Sequence, residues 1–176
     1  MVALMRGINV GRARRIAMAE LRQLLTELGY GGVRTYLQSG NAVFSCTSKA
    51  ARSADADIEQ AIADRLGVRC AVIVRTAEAF AAAVAADPLG GVATDGSRHL
   101  LGFLAGDPDP AGIETVMATD HAFDRVEFDG RHVYLWCPNG VLDSPFSKVA
   151  WARVLGVEVT MRNWNTVLKV LALTEC

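Results

Sequence analysis

Apolar positions in this sequence recur with two different periods, and the two periods take turns along the chain. Val2–Ile8 (VALMRGI) is a short β-rich run and a strand candidate. Met18, Leu21, Leu24, Leu25 and Leu28 then return every three or four residues, the spacing of one helix face. Gly29 follows where a left-handed C-cap is wanted. Val33–Leu37 and Ala42–Cys46 read as two further strands, joined by the turn Gln38-Ser39-Gly40-Asn41. Ile58, Ile62 and Leu66 form a second helical stripe closed by Gly67, and Val68–Val74 completes a β-α-β-β-α-β series.

An Ala-rich helix comes next, capped by Thr76 and ended before Pro88. Residues 90–97 are rich in Gly, Thr and Ser and read as a linker. The series then repeats. His99–Leu104 is a strand, and Asp109-Pro110 is a cap followed by an N1 proline that opens a helix with Ile113, Val116 and Met117. Val126–Phe128 and His132–Cys137 flank Asp129-Gly130, a strong hairpin signal. Ser144-Pro145 opens a helix that Gly156 closes, Val157–Met161 alternates as a last strand, and Asn163 can cap a C-terminal helix carrying Trp164, Leu168 and Leu171.

Each half is the ferredoxin-like split βαβ arrangement. The expected fold is therefore α+β, a tandem duplication of ferredoxin-like βαββαβ units with antiparallel sheets. The expected divisions are 1–76 for the first unit, 77–97 for a connecting helix and linker, and 98–176 for the second unit with its C-terminal helix.

Composition narrows the classes of partner. Of 176 residues, 51% are hydrophobic and 21% charged, which supports a sizeable core and argues against disorder. The formal charge of -1 removes the strong positive field of a general nucleic-acid binder, so any anion recognition must come from a local patch. Cys46, Cys70, Cys137 and Cys176 form no CxxC pair, and no signal peptide is read at Met1, so reduced thiols in a cytoplasm are expected. No apolar run reaches membrane-spanning length.

Topology then sorts the polar loops. With strand order 4-1-3-2, the end of the first strand lies beside the start of the third, placing Arg6, Gly7, Ile8 and Asn9 next to Gln38, Ser39, Gly40 and Asn41. Arg12, Arg14 and Arg15 follow before the first helix. Guanidinium and amide groups gathered at one sheet edge suit a carboxylate, phosphate or nucleotide. In the second half, Pro138-Asn139-Gly140 comes to the edge where the fourth strand ends in Arg162, Asn163, Trp164 and Asn165, at the start of the last helix. The candidate ligand-binding residues are Arg6, Asn9, Gln38, Ser39, Asn41, Asn139, Arg162, Asn163 and Asn165. The same residue types are also the ordinary stuff of turns and caps, Asn163 above all.

Other chemistries fail on spacing. Gly7-Ile8-Asn9-Val10-Gly11 lacks both the P-loop lysine and hydroxyl and the Rossmann glycine spacing. His99, His121 and His132 are scattered, so neither a metal site nor a cofactor is expected. Ser147 and Lys148 are sequence neighbours that point to different helix faces, and Ser144 reads as a cap, so no catalytic residue is assigned. His132, Tyr134 and Trp136 share one strand face, but no RNP1 consensus accompanies them, and packing is favoured over base stacking.

Four segments, MVALMRGINVG, RTYLQSGNAVF, YLWCPNG and TMRNWNTV, resemble the bacterial family of unknown function DUF1697, in the same order and across nearly the whole chain. The resemblance implies a two-part ferredoxin-like α+β fold and no established activity, cofactor or catalytic residue. The sequence departs from the family pattern at Arg12 and Arg14, where a second glycine and an asparagine are common. It departs again at Leu142-Asp143-Ser144-Pro145, in place of a basic stretch, and at Met161, in place of a threonine.

Three functional classes stay open at this level. The leading one is a cofactor-independent binding module for a small anionic or nucleotide-like ligand. The second is an enzyme that uses arginine and amide groups for electrostatic stabilisation. The third is an interaction protein that forms a homodimer through the aromatic strand.

Overall fold

A computed structural model describes residues 1–10, 15–119 and 123–175, so Arg12, Arg14, His121 and Cys176 lie outside the described residues. The chain divides into two compact units, one of Met1–Ala82 with the residues from Lys169 onward, the other of Ala83–Leu168.

The first unit runs β1 (Val2–Met5), α1 (Met18–Glu27), β2 (Gly31–Tyr36), β3 (Asn41–Ser45), α2 (Ala54–Leu66) and β4 (Val72–Arg75), with α3 (Ala77–Ala85) after it. Its sheet has the order β2-β3-β1-β4, and every neighbouring pair is antiparallel. The periodic leucines do what their spacing requires. Met18, Leu21, Leu24 and Leu25 of α1 and Ile58 and Ile62 of α2 bury against Ala3, Met5, Ala42, Phe44 and Val72 on one sheet face.

The second unit repeats this with β5 (His99–Leu104), α4 (Pro110–Met117), β6 (Arg125–Asp129), β7 (His132–Trp136), α5 (Trp151–Leu155) and β8 (Val159–Asn163), followed by α6 (Trp164–Thr174). Its order, β6-β7-β5-β8, is the same antiparallel arrangement. Leu100, Leu104, Val133, Leu135 and Cys137 pack with Val116, Phe146 and Leu155. The duplicated α+β architecture expected from the two half-patterns is the one present.

On the opposite face of β7, Tyr134 is 0% and Trp136 8% exposed, and the Tyr134 hydroxyl donates to the Ala83 carbonyl at 2.8 Å. Among the described residues no helix is long and apolar enough to cross a membrane.

Several boundaries differ from those the sequence predicts; three of them have a local cause, which two share. β1 ends at Met5 rather than Ile8, because Gly7 and Asn9 take positive φ (64° and 57°) and turn the chain out of the sheet. β4 then starts at Val72 rather than Val68, since Val72 pairs with Met5 and only the Arg6 N–H to Ala71 carbonyl bond continues the ladder. The predicted helix from Ser144 to Gly156 is two pieces, a 3₁₀ turn over Pro145–Lys148 and then α5. Val149 breaks it with extended backbone (ψ 126°), a conformation that suits its β-branched side chain.

Candidate functional site

At the end of β1 the two predicted loops do meet, because Leu4 pairs with Asn41 across the sheet. Asn9 fastens them. Its Nδ2 donates to the carbonyls of Gln38 (2.7 Å) and Ile16 (3.0 Å), and its Oδ1 accepts from the Ile16 N–H (2.8 Å). Asn41, 1% exposed, donates from Nδ2 to the Tyr36 carbonyl (2.9 Å) and to Ser39 Oγ (3.1 Å), closing the turn on itself. Gly40, at φ 79°, donates no side chain to this packing for a steric reason. A Cβ there would stand 2.7 Å from both Met5 Cβ and Ile8 Cδ1. Its carbonyl instead accepts from the Met5 N–H at 2.9 Å.

The predicted residues therefore divide into a frame and a rim. Asn9 and Asn41 are committed to the frame, whereas Gln38, Ser39 and Arg15 are exposed and Arg6 is half-buried just beyond β1. Positive φ at Gly7 and Asn9 alternates with Arg6 and Ile8, the only left-handed non-glycine residues among the described ones being Asn9 and Leu37. Positive φ at these two positions turns the chain sharply after β1, while the Arg6 N–H stays bonded to the Ala71 carbonyl.

The second predicted cluster is organised differently. Asn163 caps α6, its Oδ1 accepting from the Thr166 N–H at 2.9 Å. The Asn165 N–H donates to the Gly96 carbonyl at 3.3 Å, so the first turn of α6 spends these amides internally. Asn139 is exposed on the turn after β7, and β5 lies between that turn and the end of β8. Arg98, just before β5, donates to the Pro138 carbonyl. Arg162 is a strand residue. It is 9% exposed within β8, and its Nη1 donates to Thr160 Oγ1 and to the Met161 carbonyl, both at 2.8 Å. Burial brings its pKa down to about 10.

Some polar groupings carry no sequence signature. His99 is stacked on Trp164 (centroids 4.4 Å apart, 16° between planes), and its Nε2 lies 3.3 Å from Asp87 Oδ1, out of line for a good hydrogen bond. Burial pushes the His99 pKa down, and Asp87 offsets part of that shift. Asp87 also anchors the linker, accepting from the Leu89 N–H at 3.0 Å. In the same unit, buried Ser144 donates to Asp124 Oδ2 at 2.5 Å while capping the 3₁₀ turn through the Phe146 N–H at 3.1 Å. Burial raises the neighbouring Cys137 thiol pKa. The end of the linker is equally ordered. Asp95 accepts from the Ser97 N–H and hydroxyl, and these bonds hold its carboxyl below its usual range. Only contact across 12 or 20 residues reveals the His99–Asp87 and Ser144–Asp124 pairs, which no spacing rule proposes.

Two tandem split βαβ units, each with polar loops gathered at the ends of its sheet, define an α+β protein. The chain belongs to the DUF1697 family, described as "Protein of unknown function (DUF1697)", whose model matches residues 1–134. That span holds the Asn9–Asn41 cluster and stops short of Asn139 and the start of α6. The chain is also similar to the conserved bacterial protein SP0830 from Streptococcus pneumoniae, with 27% identity and a TM-score of 0.79 over 98% of this chain and 97% of that one. No curated protein matches the chain.

Proposed function

We propose that this protein is a cofactor-independent binding module for a small anionic or nucleotide-like ligand, seated at the end of β1. One observation carries the reading. Asn9 clamps the loop after β1 to the Gln38 carbonyl, so that a turn with positive φ at Gly7 and Asn9 is held beside Gln38 and Ser39. A clamped turn loses little entropy when it takes up an anion, and that preorganisation favours affinity. Arg6 and Arg15 supply positive charge close to the loop in sequence. At α6 the amides are already committed and Arg162 is buried, which makes that end the weaker anion site. Asn139, Asn163 and Asn165 serve there as turn and cap residues. Free thiols at Cys46, Cys70 and Cys137 fit a reducing, cytoplasmic setting.

A thermal-shift screen over nucleotides, sugar phosphates and small carboxylates tests the proposal. At least one anion raises the melting temperature, and Arg6→Ala together with Gln38→Ala removes the shift. A flat screen, or a hit that both variants leave unchanged, overturns it.

A further inference from the structure

Leu37, in the turn between β2 and β3, holds a backbone conformation that burial does not offset. Its φ is 57°, in the left-handed region, where any side chain crowds the backbone and costs stability. The carbonyls on either side of it are tied down. Tyr36 accepts from Asn41 Nδ2 at 2.9 Å, and Gln38 accepts from Asn9 Nδ2 at 2.7 Å. Two asparagines thus hold the turn in its strained form. Strain of this kind persists only where the surroundings impose it, and it gathers at ligand sites.

Asn9 has the same φ of 57°, but its side chain makes three hydrogen bonds there. Leu37 gains nothing comparable from packing, being 53% exposed. Val10, the residue after Asn9, is 72% exposed. Among the described residues of the first unit, these are the two large hydrophobic side chains so exposed. Each is the chain neighbour of one partner in the Asn9–Gln38 hydrogen bond. The same clamp brings in charge, because Asn9 holds both the N–H and the carbonyl of Ile16, and Arg15 stands directly before it. Apolar surface, a cation and the exposed Gln38 amide therefore border one fastening point.

A flat ring with heteroatoms along its edge and an anionic group attached uses all three. A rigid ring covers apolar side chains without losing rotamer freedom, whereas a flexible acyl chain would order many bonds to cover two residues. The Gln38 amide offers a donor and an acceptor side by side, the pattern that reads the edge of a base.

We propose that Leu37 and Val10 seat the base of a nucleotide, so that this end of the sheet prefers a nucleotide to a sugar phosphate, inorganic phosphate or simple carboxylate. The assignment rests on the anion-binding reading given above and names its ligand class.

Calorimetric titration with AMP, CMP, ribose 5-phosphate and inorganic phosphate tests it, together with the melting temperature of the free protein. At least one nucleotide binds tenfold or more tightly than ribose 5-phosphate. Leu37→Asn places a residue that tolerates left-handed backbone at this position. It raises the melting temperature of the free protein by roughly 2–4 °C, yet brings the nucleotide down to the affinity of ribose 5-phosphate. Val10→Ser weakens the nucleotide and leaves ribose 5-phosphate unchanged. Equal affinity for nucleotide and ribose 5-phosphate, or a nucleotide affinity that both variants leave unchanged, overturns the base seat while the anion reading stands. A Leu37→Asn protein no more stable than the parent overturns it as well, by removing the strain. If neither nucleotide, sugar phosphate nor phosphate binds at millimolar concentration, the base seat falls together with the anion reading.

Discussion

Gly112→Ala puts the packing of the second unit to a test in which two rules predict opposite signs. Gly112 lies in α4, where helix propensity alone would make alanine the better residue by about 1 kcal/mol. The structure argues otherwise. A Cβ at this position would stand 2.0 Å from the Val154 carbonyl oxygen, 2.9 Å from the Val154 carbonyl carbon and 3.1 Å from Leu155 Cα. All three are backbone atoms in the last turn of α5, so no change of rotamer clears them and one helix must move by more than an ångström. The Asp109 N–H is tied to the Leu155 carbonyl at 2.9 Å, and Asp109 caps α4 through the Ala111 N–H, so such a move also strains the start of α4.

Overpacking of a close-packed site costs roughly 1–3 kcal/mol, and a backbone obstacle belongs at the top of that range or beyond it. Set against the propensity gain, the net loss is about 2 kcal/mol. For a chain of this size that lowers the melting temperature by about 4–8 °C. Urea unfolding and differential scanning calorimetry both read it. Gly67→Ala is the control. Gly67 has φ 66° and open space around its missing Cβ, so it bears only the left-handed cost of about 1–2 kcal/mol. A Gly112→Ala protein as stable as the parent, or more so, would refute the close approach of α4 and α5.

The remaining predictions address the clamp and two buried rings. Asn9→Gly keeps the positive φ but removes three hydrogen bonds, so it loses about 1–3 kcal/mol and speeds amide exchange at Ile16. Asn9→Ala adds about 1 kcal/mol of left-handed strain, and equal stability of Asn9→Gly and the parent would show the clamp to be idle. His99 is neutral when folded, its pKa held below the ordinary 6.5, so its contribution is complete above pH 6.5 and declines as pH falls toward the lower folded value. His99→Phe flattens that part of the stability-pH curve, and an unchanged slope contradicts the burial argument. Tyr134 stays protonated until about pH 12, chiefly because it is buried and then because of Asp129 and Asp87, so stability falls between pH 10 and 12 as the unfolded phenol ionises first. Ultraviolet titration near 295 nm resolves this step, and Tyr134→Phe removes it at a cost of about 1–2 kcal/mol for the unpaired Ala83 carbonyl.

How far the sequence could be read depended on the range of the interaction. Strand order followed from two repeated alternations, because a period-2 run joined by Asp129-Gly130 leaves little freedom in register. Caps were legible for the same local reason, and Asp109, Ser144 and Asn163 all cap as their neighbours predict. Neither fourth strand starts where its apolar run does. Val68 and Val157 belong to apolar runs, but pairing begins only where β1 and β5 supply a partner, at Val72 and Val159.

The candidate site was legible in place and not in role. Topology brought RGIN to QSGN, yet it could not tell which amides face inward. That division depends on the positive φ of Asn9, which directs its side chain to Ile16 and Gln38 and leaves Gln38 and Ser39 outside. Arg6 illustrates the same limit from the other side. The expected strand Val2–Ile8 would hold it within an apolar run, whereas β1 ends at Met5 and leaves it half-buried on the turn that follows. Gly31 and Gly32 gave no signal of the bulge in β2, since a bulge is a mismatch between two strands and neither strand encodes it alone.

The duplication itself explains why the two units do not offer the same chemistry. In both, the fourth strand runs directly into a capped helix, through Thr76 in the first unit and Asn163 in the second. In the second unit the loop before β5 closes over that start, with Gly96 accepting from the Asn165 N–H and so tightly packed that a Cβ on Gly96 would meet Asn165 Oδ1 at 2.4 Å. The equivalent end of the first unit has the bulge at Gly32 and keeps a cleft, with Arg34 and Glu78 in its wall. One scaffold position is thus filled by backbone in one copy and left concave in the other.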